Sequence, residues 1–133
     1  MKKLYADTNT FLRFLLQDNL EQARVAAEKF TLAKEKKLKI IVISEVIPEL
    51  AYVLSGVYKL SRVEAAQQIN HLINTPYFEI EQKDIWSKAM EIYPQVKIDV
   101  VDIFLAVKAN QAAGEVFSFD QDFKKIASFF KVQ

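Results

Sequence analysis

The chain has 133 residues, of which 51% are hydrophobic and 26% charged, so it is predicted to form one globular domain spanning residues 1–133 rather than a disordered chain. It contains no cysteine, which excludes disulfides and thiolate metal ligands, and its net charge of +1 provides no overall basic field for nucleic acid. The N-terminus lacks an apolar signal segment, and no apolar run approaches the roughly 18 residues that span a bilayer, so we expect a cytoplasmic protein without a membrane segment.

The first third of the chain predicts strands and helices in alternation. Residues 4–6 are predicted to form a short apolar strand that stops at Asp7, Thr8 and Asn9, which favour turns and helix caps. Helices are expected at about residues 10–16 and 21–36. The strand that follows, at residues 38–43, contains a β-branched run without alternation, which is typical of a strand buried on both faces.

Two further helices are predicted from their end signals. Ser44 is expected to cap a helix that ends at Gly56, and Pro48 is tolerated in its first turn. Ser61 and Glu64 have the spacing of a capping box, which predicts that the next helix begins there.

Alternating elements continue to the end of the chain. The remaining helices are expected at residues 83–93, 99–113 and 120–127, the second of them apolar nearly all round and therefore central. The remaining strands are expected at residues 78–80, 116–118 and, as an edge strand, 129–132.

Four acidic residues fall at one edge of the predicted sheet. The alternation predicts an α/β domain with a mainly parallel sheet, and such sheets bind ligands beyond the carboxyl ends of their strands. The acidic residues placed there are Asp7, Glu49, Asp102 and Asp120. Clustered carboxylates repel one another, and a bound cation offsets that cost. With no cysteine and with His71 as the single histidine, the pattern predicts Mg²⁺ or Mn²⁺ rather than zinc.

Each of these acids has a structural alternative, because acidic residues near helix starts also act as caps. Asp7 is placed where a cap is common, although Thr8 and Asn9 beside it offer oxygens that could hold a metal-bound water. Asp99 and Asp102 compete in the same way at the start of one helix. We assign the cap to Asp99, because Asp102 is expected to face the sheet, where an unpaired carboxylate is costly.

The other two positions are also ambiguous. Asp120 and Asp122 both lie at the start of the last helix, and Asp120 is preferred because it is closer to the predicted strand end. Glu45 and Glu49 share one helix face. Glu45 is expected to be a surface acid that interacts with the helix dipole, whereas Glu49 lies one turn deeper and is expected to be buried near the sheet.

Four segments, in order, resemble PIN-domain ribonucleases, especially VapC-type toxins of toxin-antitoxin systems. The first is Tyr5-Ala6-Asp7-Thr8-Asn9 with the apolar residues that follow it to Leu16. The others are residues 43–54, with Ser44 and Pro48-Glu49-Leu50; residues 99–106, with Asp99-Val100-Val101-Asp102; and residues 116–123, with Ser118-Phe119-Asp120. Together they extend over nearly the whole chain.

The resemblance implies a three-layer domain with a central sheet of four or five strands and about seven helices. It implies a Mg²⁺- or Mn²⁺-dependent endoribonuclease that cuts single-stranded or loop RNA, forms a homodimer and binds a cognate antitoxin protein. Ser118 stands where threonine is more common in the family, which keeps the hydroxyl. By similarity, the catalytic metal ligands are Asp7, Glu49, Asp102 and Asp120, with Asn9 and Ser118 as polar supports.

Other residues and other functions remain open at this stage. The candidates for phosphate contacts are Arg13, Lys97, Lys108, Lys124 and Lys125. The main alternative function is a catalytically silent PIN-like scaffold that binds RNA or protein, and metal-dependent cleavage would separate the two. A receiver-like domain using Asp7 as phosphoacceptor is a weaker alternative, because it needs a lysine and a threonine at later strand ends, where this chain has Ser118 and Asp120.

Overall fold

Three short parallel strands form the centre of the protein in a computed structural model, which describes residues 1–130. The strands are β1 (Lys2–Tyr5), β2 (Leu38–Val42) and β3 (Phe78–Ile80). They lie in the order β1-β2-β3, so β2 is central. The register places Leu4 beside Ile40 and Ile40 beside Phe78.

Seven α-helices, as expected from the sequence, and a final 3₁₀ helix, which was not predicted, complete the described residues. They are α1 (Thr8–Leu16), α2 (Leu20–Lys34), α3 (Val46–Gly56), α4 (Arg62–Ile73), α5 (Lys83–Ile92), α6 (Val100–Gln111), α7 (Asp122–Ile126) and the 3₁₀ helix Ala127–Phe130. Each α-helix ends within two residues of its predicted bounds. None of the helices in residues 1–130 has the length and apolar character that crossing a membrane requires.

The central strand is buried on both faces, as its β-branched run predicted. Ile40 and Ile41 point to opposite faces and are 1% and 5% exposed. On the Ile40 face, Phe11 of α1 and Phe30 of α2 pack against Phe78, with ring centroids 5.6 and 4.8 Å from the Phe78 ring. Helices α1 and α2 therefore cover one side of the sheet, and the chain beyond Asp7 turns back directly from β1 into that layer.

The start of α4 confirms the predicted capping box. The Ser61 hydroxyl accepts from the Glu64 amide at 3.1 Å, and the Glu64 carboxylate accepts from the Ser61 amide at 3.1 Å. These hydrogen bonds hold the pKa of Glu64 below its usual range. The predicted cap of α3 was wrong by one residue, because α3 begins after Glu45. The Ser44 hydroxyl accepts from the Trp86 indole instead, at 2.8 Å, and so ties the end of β2 to α5.

The predicted strand at residues 116–118 is not formed, so the described sheet has three strands rather than four or five. These residues lie in the irregular segment between α6 and α7, where Phe117 is 89% and Phe119 is 91% exposed. Residues with high β-propensity form a strand only when they pair with a neighbouring strand. Residues 116–118 do not pair with β1, which is an edge strand of the described sheet. Phe129 and Phe130, predicted to begin an edge strand, lie in the 3₁₀ helix, and the rest of that prediction falls outside the described residues.

Helix α6 is less enclosed than its composition predicted. Val100 and Ile103 are buried, but Val101 and Leu105 on the next stripe are 44% and 45% exposed. The helix therefore packs one face against α3 and α5 and presents the other to solvent. Asp102 lies at the boundary between the two faces, half-buried at the start of the helix.

Candidate acidic site

Two of the four predicted acidic ligands and one predicted polar support meet at the carboxyl ends of β1 and β2. Asp7 and Glu49 line one cavity of about 260 Å³, together with Asn9 and Glu45. Asp7 directly follows β1, and Glu49 lies in the first turn of α3, which follows β2. The parallel pairing of the two strands brings these positions together, as expected for an α/β sheet.

Asp7 acts as the N-cap of α1. Its Oδ1 atom accepts from the Thr10 amide at 3.0 Å and from the Thr10 hydroxyl at 2.8 Å. The structural alternative weighed for this residue is therefore present in the fold. It does not compete directly with metal binding, because both bonds engage Oδ1 and a carboxylate has a second oxygen for a cation. Asp7 is also exposed, so a ligand can reach it from solvent.

Glu49 is held by a hydrogen bond rather than by burial. The expectation that it would be buried was wrong, because Glu49 is exposed in the first turn of α3, as is Glu45 just before that helix. The Thr8 hydroxyl donates to Glu49 Oε2 at 2.9 Å, and Thr8 is itself only 6% exposed. Since Thr8 follows Asp7 in the chain, this bond connects Glu49 to the residue beside the other acid. Glu45, the N-cap position of α3, makes no side-chain cap bond.

A second group of carboxylates gathers around the start of α6. Burial is the largest cause that raises the pKa of Asp102, and the negative charges of Asp99, Asp120 and Asp122 raise it further. Asp102 and Asp120, predicted to share a site from positions 18 residues apart, are therefore close enough to interact. The repulsion within this group is the electrostatic cost that the sequence led us to expect.

Asp120 lies in a local network at the end of the irregular segment. The Ser118 hydroxyl accepts from the Asp120 amide at 3.0 Å, and Asp120 Oδ1 accepts from the Asp122 amide at 2.9 Å. Asp122 forms an ion pair with Lys125 at 3.2 Å. Ser118 and Asp120 also line a cavity of about 460 Å³, together with Lys124. Within residues 1–130, Asp122 thus has an ion-pair partner and Asp120 has none, so Asp120 carries the less compensated charge of these two acids.

Asp99 caps α6, as predicted, and it also contacts α3. Its Oδ1 atom accepts from the Val101 amide at 3.3 Å and from the Tyr52 hydroxyl at 2.6 Å. Burial and the hydrogen bond to Asp99 raise the pKa of Tyr52 to about 12, so the hydroxyl remains protonated at neutral pH. This role of Tyr52 was not predicted from the sequence. The only local signal is that Tyr52 lies three residues after Glu49, on a neighbouring part of the same helix surface.

The described residues do not assemble the four acids into one compact cluster. Asp7 and Glu49 share the first cavity, whereas Asp102 and Asp120 interact at the start of α6. Within residues 1–130, no three or more histidine, aspartate or glutamate side chains are arranged so that they could hold a metal ion. The sequence suggested a tighter group because Asp120 was expected at the end of a strand in the sheet. In the structure, Asp120 follows a segment that does not join the sheet.

The basic residues predicted to contact phosphates differ in whether they already interact with other side chains. Arg13 contacts both oxygens of Asp18 at 2.8 Å, and the Tyr58 hydroxyl donates to the same carboxylate at 2.9 Å. These bonds raise the pKa of Arg13 and lower that of Asp18, so Arg13 is already paired with an acid. Arg13 nevertheless lines a cavity of about 500 Å³ together with Asp7 and Asn9. Lys108 lies over the Phe104 ring at 5.8 Å. Lys97 and Lys124 are exposed, and Lys124 borders the same cavity as Asp120.

Comparison with known proteins agrees with the resemblance. Residues 4–128 match the family model of the PIN domain. The chain is 31% identical over 121 residues to a VapC ribonuclease of Aquifex aeolicus (strain VF5), which corresponds to 90% of this chain and 89% of that protein. No solved structure matches the chain significantly. The family resemblance that rested on four sequence segments is therefore confirmed.

Proposed function

The chain belongs to the PIN-domain family, as a VapC-type member, and on that basis we propose that it is a metal-dependent endoribonuclease. Its substrate is single-stranded or loop RNA, and the reaction is hydrolysis of a phosphodiester bond. The observation that carries the proposal is the occurrence of the acids in two groups. Asp7 and Glu49 line one cavity at the carboxyl ends of β1 and β2, and Asp102 and Asp120 interact electrostatically at the start of α6.

The donor chemistry of this region fits a hard divalent cation. All four proposed ligands are carboxylates, cysteine is absent, and His71 lies on the exposed side of α4 beside a different cavity. The raised pKa of Asp102 supports the assignment, since a cation would relieve the repulsion that contributes to it. We therefore assign Mg²⁺ or Mn²⁺ to Asp7, Glu49, Asp102 and Asp120.

Such a cation, when bound, supplies Lewis-acid activation of water and neutralises charge on the scissile phosphate. The protein's own residues supply binding and orientation. Thr8 holds the Glu49 carboxylate through its hydroxyl, and the Thr10 amide holds Asp7. Ser118 accepts from the Asp120 amide and so restrains the segment that presents this acid. Asn9 lines the Asp7 cavity, where its amide can orient water or phosphate.

The charges around the site suit an RNA backbone only locally. Lys124 borders the cavity that contains Asp120, and Lys97 is exposed in the loop that leads to α6. Both are proposed to contact phosphates, which position the strand without reading its sequence. With a net charge of +1, the rest of the surface contributes little to RNA affinity.

The relationship to VapC proteins leads us to propose that the chain is the toxin of a toxin-antitoxin pair in the cytoplasm. Its partners are then a cognate antitoxin protein and a second copy of the chain. Exposed apolar side chains support assembly, because Phe117 and Phe119 are almost fully exposed and Val101 and Leu105 are nearly half exposed.

The test is RNA cleavage by the parent protein and by Asp7→Asn, each with Mg²⁺ and with EDTA. Asparagine keeps the oxygen that caps α1 but removes the charge that binds the cation, so we expect a folded protein with cleavage lost. Asp84→Asn is the matched control, because Asp84 is an exposed aspartate in the first turn of α5. Cleavage that persists in EDTA, or equally in Asp7→Asn, contradicts the proposal.

The same pair of proteins identifies the substrate. Brief expression followed by mapping of new 5′ ends in total RNA should show discrete cleavage sites for the parent and not for Asp7→Asn. RNA binding without any metal-dependent cleavage would instead favour the non-cleaving scaffold.

A further inference from the structure

Tyr52 joins the two helices that carry separate parts of the acidic site. It lies on α3, three residues after Glu49, and its hydroxyl donates to Asp99 Oδ1 at 2.6 Å. Asp99 is the N-cap of α6, whose first turn carries Asp102. A single hydrogen bond therefore connects the helix of Glu49 with the helix of Asp102, across 47 residues of sequence.

The Asp99 end of this connection is held from its other side as well. The guanidinium of Arg62 donates from Nε to the Tyr93 carbonyl at 2.8 Å and from a terminal nitrogen to the Ile98 carbonyl. It also stacks on the Tyr93 ring, 3.7 Å from the centroid. Arg62 thus restrains both ends of the loop that leads to Asp99. The Tyr52 hydroxyl therefore donates to a carboxylate whose position is already restrained.

The contact is well placed to control the geometry of the acids. Helices α3 and α6 touch, but Glu49 itself is exposed, and within residues 1–130 its carboxylate accepts a hydrogen bond from the Thr8 hydroxyl alone. Metal affinity depends on ligand separation, and groups that orient the ligands contribute to it without touching the cation.

We propose that Tyr52 is a positioning residue, whose hydroxyl sets the separation of Glu49 and Asp102 and thereby the affinity of the site for a divalent cation. This rests on the proposed function. The half-exposed Tyr52 ring offers a different role, stacking on an RNA base, and that role does not need the hydroxyl.

The experiment measures Mn²⁺ binding by the electron paramagnetic resonance signal of free Mn²⁺, and RNA cleavage as a function of Mn²⁺ concentration. Tyr52→Phe removes only the hydroxyl, and we expect about a tenfold loss of Mn²⁺ affinity, the lower end of what groups orienting a metal ligand contribute. Cleavage by this variant should fall at limiting Mn²⁺ and recover at saturating Mn²⁺. A purely structural role would not produce this dependence on metal concentration.

Tyr58→Phe is the matched control. Its hydroxyl also donates to an aspartate, Asp18, at 2.9 Å, but at the opposite ends of α1 and α3 from the acids. Its Mn²⁺ affinity should equal that of the parent. Tyr52→Leu, which also removes the ring, should lose no more Mn²⁺ affinity than Tyr52→Phe.

Two results would overturn the assignment. If Tyr52→Phe binds Mn²⁺ like the parent and only Tyr52→Leu is impaired in cleavage, the ring matters and the hydroxyl does not. If the parent neither binds Mn²⁺ nor cleaves RNA, the proposed function fails and the role of Tyr52 fails with it. If the parent binds Mn²⁺ and cleaves RNA, and Tyr52→Phe has the same Mn²⁺ affinity and cleavage, only the positioning role is refuted.

Discussion

Replacing Asp102 with asparagine should raise the melting temperature of the metal-free protein, but it should leave the variant less stable than the parent when a divalent cation is bound. In the free protein, burial and three neighbouring acids raise the pKa of Asp102, so its charge opposes folding. Removing that charge relieves repulsion of about 0.5 kcal/mol, the middle of the range for partly exposed charge pairs. In a domain of this size that corresponds to a melting temperature higher by about 2 °C in EDTA.

Adding Mg²⁺ should invert this order. A cation present at 100 times its dissociation constant stabilises the parent by about 2.7 kcal/mol. That corresponds to a rise of roughly 10 °C in melting temperature. Asp102→Asn lacks one proposed ligand and should gain much less, so it should melt below the parent in Mg²⁺ and above it in EDTA. Differential scanning fluorimetry or calorimetry measures both values on the same samples.

The pH dependence of metal-free stability tests independently whether the Asp102 charge opposes folding. Because the pKa of Asp102 is raised in the folded state, the folded protein binds the extra proton, and its metal-free stability increases as the pH falls from the raised pKa toward the unfolded value of about 3.9. The advantage of Asp102→Asn in EDTA should therefore shrink across that window.

Asp84→Asn is the control for this experiment as well. The same chemical change in the first turn of α5 removes a favourable helix-dipole interaction of about 0.3 kcal/mol, so this variant should melt slightly below the parent in EDTA and respond fully to Mg²⁺. The reasoning is refuted if Asp102→Asn melts below the parent in EDTA, or if Mg²⁺ stabilises both proteins equally.

Two further predictions concern the first cavity and assembly. Glu49→Gln should reduce RNA cleavage by orders of magnitude with little change in melting temperature, because the amide oxygen can still accept from Thr8, whereas Glu45→Gln should remain within several-fold of the parent; the opposite ranking would make Glu45 the ligand. The parent should be at least dimeric by light scattering at micromolar concentration, because almost fully exposed Phe117 and Phe119 favour association; a monodisperse monomer would contradict this.

The features that were predicted correctly from the sequence are those that local interactions control. The capping box of α4 depends on Ser61 and Glu64, three residues apart, and the helix begins where that spacing predicted. The burial of Ile40 and Ile41 on opposite faces of β2 follows from a continuous β-branched run. Asp99 as the cap of α6 also depends only on its neighbours. These features are encoded within a few residues of chain.

The errors arose where a residue depends on a distant partner. Residues 116–118 have the composition of a strand, but strand formation requires hydrogen bonds to another strand, and the described sheet ends at β1. Glu49 was expected to be buried from its place on a helix, yet its surroundings are set by how α3 packs on α1, and it is exposed. Ser44 had the signals of a cap, but the Trp86 indole engages its hydroxyl.

The sequence by itself determined the alternation of helices and strands, the chemistry of the acidic residues and the family, because these depend on residue type and short-range order. The tertiary structure alone decided which acids share a cavity and which repel one another, and it alone showed that the Tyr52 hydroxyl meets Asp99. These contacts depend on how helices far apart in the chain pack together, and that packing is set by the sum of many weak, non-local contacts rather than by any short pattern of residues.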